Sequence, residues 1–161
     1  MVNPPVINAS PLIYLSRANY LSLLQLLGSE ILVPQAVAQE IQNRDAQDPT
    51  VFALRKTPWL RVVTPAEPAA LIQAWDLGQG ESAVLSWAYT HPGTEAILDD
   101  RAARRCAAAL NLPVRGTLGL VLIAKQRGEV PSARVILEDL RRSGMYLSDL
   151  VLNQALAKVN E

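Results

Sequence analysis

Short aliphatic or β-branched runs alternate along this chain with longer stretches of helical periodicity, and that alternation limits the fold more than any other feature. The short runs are Val6-Ile7, Glu30–Val33, Trp59–Val63, Ala96–Leu98 and Pro113-Val114. Parallel strands cannot be joined by a tight turn; they need a long crossover, which a helix supplies. Strand then helix, repeated, therefore predicts an α/β fold with a parallel sheet and helices on both faces. At 161 residues the chain is long enough for one domain with a real core. No repeat, low-complexity tract or linker interrupts it, so residues 1–161 are expected to form a single domain.

The helical stretches carry their own punctuation. Pro11 suits a first helical position, with Ser10 as its cap, and Gly28 follows a leucine-rich pattern ending at Leu27. Pro34 opens a helix that includes Val37 and Ile41. A polar break over Asp45–Pro49 precedes a shorter helix ending at Lys56. Leu77–Gly80 breaks the chain before a helix from Glu81 to Tyr89. After Asp99-Asp100, the spacing of Ala102, Cys106, Ala109 and Leu110 (i, i+4, i+7, i+8) predicts a helix that buries that stripe. Further helices are expected over Leu118–Arg127, Ser132–Arg142 and Ser148–Asn160.

Fifteen basic and fifteen acidic residues cancel, which argues against attachment to nucleic acid by bulk charge and leaves room for a local basic patch. The single cysteine, Cys106, excludes an internal disulfide and a multi-cysteine zinc site. No apolar run reaches the roughly 18–20 residues of a membrane span, and the N-terminus lacks a secretory pattern. A cytoplasmic protein without membrane contact is expected.

In open parallel sheets, ligands bind beyond the carboxyl ends of the strands, where the strand order reverses. Asn8 follows Val6-Ile7, and Asp99-Asp100 follows Ile97-Leu98. Adjacent carboxylates repel and must be hydrated, paired or metal-bound; an Asp here also suits a helix cap. Glu40 borders the apolar stripe of its helix, and Glu81 opens its own, where the helix dipole already favours it. Several carboxylates from separate elements suit a hard divalent cation. Ser10 has no histidine partner for a hydrolase triad, and Gly78-x-Gly80 lacks the remaining residues of a nucleotide-binding loop. His91 lies in a turn, and Trp59, Trp75 and Trp87 are expected in the core or an interface. Arg101, Arg104, Arg105 and Arg115 are either phosphate contacts or a solvated face.

The segments Asn8-Ala9-Ser10-Pro11-Leu12-Ile13, Glu40, Gly78-x-Gly80-Glu81, Leu98-Asp99-Asp100-Arg101-x-Ala103-Arg104 and Gly116-Thr117-Leu118-Gly119 occur in that order. Together they resemble a PIN domain, and more closely the PIN-like branch related to toxin ribonucleases of bacterial toxin–antitoxin pairs. The resemblance spans nearly the whole chain. It implies a three-layer fold, a central parallel sheet flanked by helices, and a nuclease that hydrolyses RNA with Mg²⁺ or Mn²⁺. Metal ligands would be Glu40, Glu81 and Asp100, with Asp99 and Asn8 completing the catalytic set. Arg101, Arg104, Arg105, Arg115 and Thr117 would border the nucleic acid.

PIN domains usually end the first strand with Asp, whereas this chain has Asn8. At about 4 Å and an effective dielectric near 20, a lost unit charge is worth roughly 4 kcal/mol against each unit of metal charge. Two functions therefore stand: a metal-dependent endoribonuclease acting as a toxin, or a catalytically degenerate PIN-fold partner that binds RNA or protein. A small antitoxin and homo-oligomerisation are the expected protein contacts, from the apolar excess of Leu21–Leu27 and Leu147–Val159.

Overall fold

The computed structural model describes residues 3–161. Five strands, β1 (Val6–Ile7), β2 (Ile31–Pro34), β3 (Leu60–Val63), β4 (Ala96–Ile97) and β5 (Val114–Arg115), form one all-parallel sheet in the order β3-β2-β1-β4-β5. The registers Val6↔Leu32 and Ile7↔Ile97 put β1 in the middle. Successive strands step outward from β1 through β2 to β3, and the chain then crosses back to β4 and β5. The order thus reverses between β1 and β4, where two carboxyl ends face outward side by side.

The strand interiors read as continuous aliphatic runs because both faces of the sheet are covered. Val6, Ile7, Ile31, Leu32, Val33, Ala96 and Ile97 are all buried. One contiguous core runs from Val6 to Val159. Each fully buried aliphatic side chain in it contributes about 1.5–3 kcal/mol relative to exposure.

The covering helices are α1 (Ala9–Arg17), α2 (Gln35–Gln42), α3 (Pro49–Lys56), α4 (Ala70–Gln73), α5 (Gln79–Thr90), α6 (Arg101–Ala109), α7 (Thr117–Gln126), α8 (Ala133–Arg142) and α9 (Asp149–Ala157). A 3-10 segment, Leu21–Leu26, links α1 to the approach of β2. Helix α5 packs on β1, β2 and β4 as well as on α2, so it bridges both sides of the strand reversal. Among the described residues, no helix is long and apolar enough to cross a membrane.

Four expectations change. Helix α1 begins at Ala9 with Asn8 in the capping position, not at Pro11 behind Ser10; the strand passes into the helix with no intervening turn. Helix α5 begins two residues before Glu81, with Gly78 as its cap. Helix α4 was not anticipated, since four residues behind Pro65 and Pro68 carry too little periodicity. In α6 the buried stripe is Ala103, Cys106 and Ala107, while Ala102 and Ala109 are exposed. Arg101, Arg104 and Arg105 form the exposed face, and the stripe opposite them is the one that is buried.

Candidate metal and nucleic-acid site

Asn8 stands at the carboxyl end of β1 and is buried, with 2% of its surface exposed. Its backbone N–H donates to the Ile97 carbonyl at 3.1 Å, which ties it to β4. Although it occupies the capping position of α1, its side chain makes no cap bond. Its Oδ1 is one of four buried side-chain atoms with no protein partner among the described residues. The other three are hydroxyls, which can rotate towards an acceptor; an amide oxygen can only accept. An unpaired buried acceptor costs about 1–3 kcal/mol.

What Oδ1 faces is Gly80, in the first turn of α5. A Cβ built on Gly80 would lie 3.1 Å from Asn8 Oδ1, 3.1 Å from Glu40 Oε2 and 3.4 Å from Val37 Cγ2. Both oxygens therefore approach one point from opposite elements, and they cannot be further apart than twice that distance. Glycine is what lets α5 come so close.

Glu40 and Glu81 face the same cleft, a space of about 360 Å³ between α2 and the start of α5 that Asn43 and Gln79 also line. Desolvation raises the pKa of Glu40, the negative charge of Glu81 raises it further, and Arg44 partly opposes both. Glu81 folds back over its own helix start, with Oε2 2.5 Å from where a Gly78 Cβ would be. Two like charges held in one cleft, beside an orphaned oxygen, favour a cation.

Asp99 and Asp100 have separate environments. Asp99 is half-buried just past β4, and Thr117 holds both of its oxygens: the backbone N–H donates to Oδ1 at 2.8 Å and the hydroxyl donates to Oδ2 at 2.6 Å. Asp100 is exposed and caps α6, accepting from the Ala103 N–H at 2.9 Å. Among the described residues, no group of three or more His, Cys, Asp and Glu side chains stands close enough to hold a metal. Of the expected ligands, Glu40 and Glu81 share one cleft, while Asp100 accepts from the start of its own helix. Asn8 Oδ1 and Glu40 Oε2 converge over Gly80, and Glu81 lines the cleft beside Glu40, a donor set that suits a hard cation that keeps most of its water.

The basic residues also divide. Arg101 and Arg105 are exposed on α6. Arg104 Nη1 donates to the Leu98 carbonyl at 3.0 Å and sits 2.6 Å from where a Gly116 Cβ would be, so its guanidinium lies under the β5–α7 turn. Arg115 pairs with Glu95 at 2.9 Å. Thr117, expected on the nucleic-acid rim, is fully buried and committed to Asp99; its place at the start of α7 turns it inward. Arg104, Arg115, Gly116 and Gly119 line a second depression of about 330 Å³ beside Asp99.

Elsewhere, Cys106 is buried, and burial pushes its thiol up. His91 stacks on Trp87 with ring centroids 3.9 Å apart, and its Nδ1 lies 2.9 Å from the Trp87 carbonyl. Trp75, expected in the core or an interface, is 38% exposed. Sequence reasoning overlooked Gly80 as the floor of the cleft. The signal was present in Gly78-x-Gly80-Glu81, where a glycine inside a helix start marks a close approach.

A family model described as DUF3368, PIN domain, matches residues 4–161. No curated protein matches the chain.

Proposed function

The chain belongs to the PIN-domain family, a nuclease-type fold, and on that premise we propose that it is a metal-dependent endoribonuclease. The observation that carries this reading is the convergence of Asn8 Oδ1 and Glu40 Oε2 over Gly80, with Glu81 in the same cleft. PIN domains generally use divalent metal ions. Asn8, Glu40 and Glu81 would hold Mg²⁺ or Mn²⁺, which when bound supplies Lewis acidity to a phosphodiester and lowers the pKa of water.

The protein's own groups account for the rest. Burial and the charge of Glu81 raise the pKa of Glu40, which favours proton uptake at its carboxylate from an attacking water. Asp99, fixed by two bonds from Thr117, holds a charge in place without reorganisation. Arg101 and Arg105 would attract the phosphate backbone, and Arg104 steadies the loops around Asp99.

We further propose that this nuclease is the toxin of a toxin–antitoxin pair in the cytoplasm. Tyr146, Leu150 and Val151, exposed within six residues, offer an antitoxin or a second copy an apolar foothold. Expression should arrest growth of a bacterial host, and co-expression of a small reading frame adjoining its gene, where one is found, should relieve it. Light scattering should give a mass above the monomer's if the chain self-associates.

The direct test is cleavage of single-stranded RNA with Mn²⁺. Glu40→Gln with Glu81→Gln should lower the rate at least a hundredfold; an unchanged rate removes the site. A second reading, a degenerate PIN fold that only binds, is favoured by Asn8 in place of an acid. It requires no Mn²⁺ binding by calorimetry up to low-millimolar concentration, and nuclease activity gained on Asn8→Asp.

A further inference from the structure

Next to the acidic cleft lies a larger pocket of about 480 Å³, formed by the start of α2, the loop after β3 and the first turns of α5. Ala36 and Gln79 line both cavities, so the two adjoin. Their chemistry differs sharply. The acidic cleft carries two carboxylates, whereas the second pocket has Glu67 as its one ionisable lining residue. Its polar equipment is mainly neutral: the amides of Gln35, Gln73 and Gln79, with apolar surface from Pro65, Pro68 and Leu77.

The pocket is also braced. Gln73 Nε2 donates to the Pro68 carbonyl at 2.7 Å, and the buried Ser86 hydroxyl donates to the Ala66 carbonyl at 2.9 Å. The loop after β3 is therefore pinned to α4 and α5 on either side. Its volume falls within the range of about 300–1,000 Å³ typical of small-ligand sites.

Apolar walls with a few neutral donors and acceptors suit an uncharged planar heterocycle, whose faces are apolar and whose edges form hydrogen bonds. They do not suit a phosphate, which would meet Glu67 and no lining cation. The exposed arginines of α6 follow β4, whereas this pocket adjoins the edge strand β3, on the other side of β1. Resting on the nuclease reading, we propose that this pocket receives one unpaired nucleobase of the RNA, next to the phosphate engaged by the cation that Asn8, Glu40 and Glu81 would hold. The backbone would then run along the carboxyl edge of the sheet, from the arginines of α6 to the base pocket. Base preference would arise at the β3 side and charge attraction at the β4 side.

The experiment measures binding of labelled single-stranded RNA homopolymers (A, C and U) to the full chain bearing Glu81→Gln, with calorimetric Mn²⁺ binding to the otherwise native chain as a control. Two pocket changes at exposed positions are added separately: Gln35→Ala, which removes an amide, and Thr64→Trp, which fills the space. The homopolymers should differ in affinity by tenfold or more. That difference should shrink below about twofold in both pocket variants, while each retains native Mn²⁺ binding when Glu81 is intact. A preference unaltered by both substitutions, or no preference at all, overturns the base pocket and leaves the acidic site standing. Loss of Mn²⁺ binding and of RNA binding in the native chain overturns the nuclease reading and the pocket with it.

Discussion

At Gly80 an added Cβ would stand 3.1 Å from both Asn8 Oδ1 and Glu40 Oε2, a separation those neighbours can relieve only by moving. Alanine is the better helix former by about 1 kcal/mol, so Gly80→Ala should leave the melting temperature nearly unchanged or slightly raised. The same methyl should lower Mn²⁺ affinity at least tenfold by calorimetry; undiminished affinity would show that the cation binds elsewhere. Glu40 adds a pH dependence. Desolvation and the charge of Glu81 raise its pKa, so it holds its proton at a pH where an ordinary glutamate has lost it. A cation must compete with that proton, and binding should strengthen as pH rises through the elevated value. Glu81→Gln removes one cause of the elevation and should move the midpoint of Mn²⁺ binding to lower pH while weakening the affinity. A midpoint that stays put would mean that Glu81 does not influence Glu40.

Helix α6 shows how a carboxylate at a promising position can be accounted for by its own helix. Asp100 caps it through the Ala103 N–H. Asp100→Ala should cost about 1 kcal/mol in urea denaturation, whereas Asp100→Asn, an equally good cap, should cost only a few tenths. Equal losses in the two variants would point to a role for its charge beyond capping. Most elements were legible from the sequence because each has strong local causes: aliphatic runs for the strands, Pro34 ahead of α2, Gly78 ahead of α5. Helix α4 was not, being too short for a period, and the rotation of α6 was misjudged because its alanines were weighed ahead of Arg101, Arg104 and Arg105, which mark the solvent face. The types of residue at the site were legible from strand ends and helix starts. Their grouping was not, since it depends on how closely α5 approaches β1 and α2, a distance set at Gly80 by the absence of a side chain. Thr117 misled for a related reason: the family resemblance puts it on the rim, and only the path of α7 reveals that it faces inward to Asp99.

Across the whole molecule, carboxylates committed to structure set the response to acid. Burial pushes Asp48 up, but the Thr50 amide and Arg44 outweigh it, leaving its pKa below the usual aspartate range. It joins Arg44 at 2.9 Å and Arg17 at 3.5 Å, and it caps α3, so one carboxylate links three helical segments. A group whose folded pKa is depressed stabilises the fold above its unfolded pKa, and the contribution is lost as pH falls through the folded value. Asp139, held by Tyr20 and Arg142, and Glu161, held by the Ala133 amide, act in the same direction. Unfolding free energy measured by urea should therefore decline as pH drops below the aspartate range, and Asp48→Asn should flatten that decline. A slope unchanged by Asp48→Asn would assign the acid sensitivity to other groups. Strands β1, β4 and β5 are each two residues long, and their ladder ends at the bonds Asn8 N–H to Ile97 and Leu98 N–H to Arg115. Ladders so short hold little by themselves; the side chains of β1 and β4 are fully buried, and those of β5 partly so. In heavy water the amides of Asn8 and Leu98 should accordingly keep their protons as long as the slowest in the molecule, exchanging only when the entire core opens. The reactive edge would then be as durable as the protein itself, with no private route to loosening.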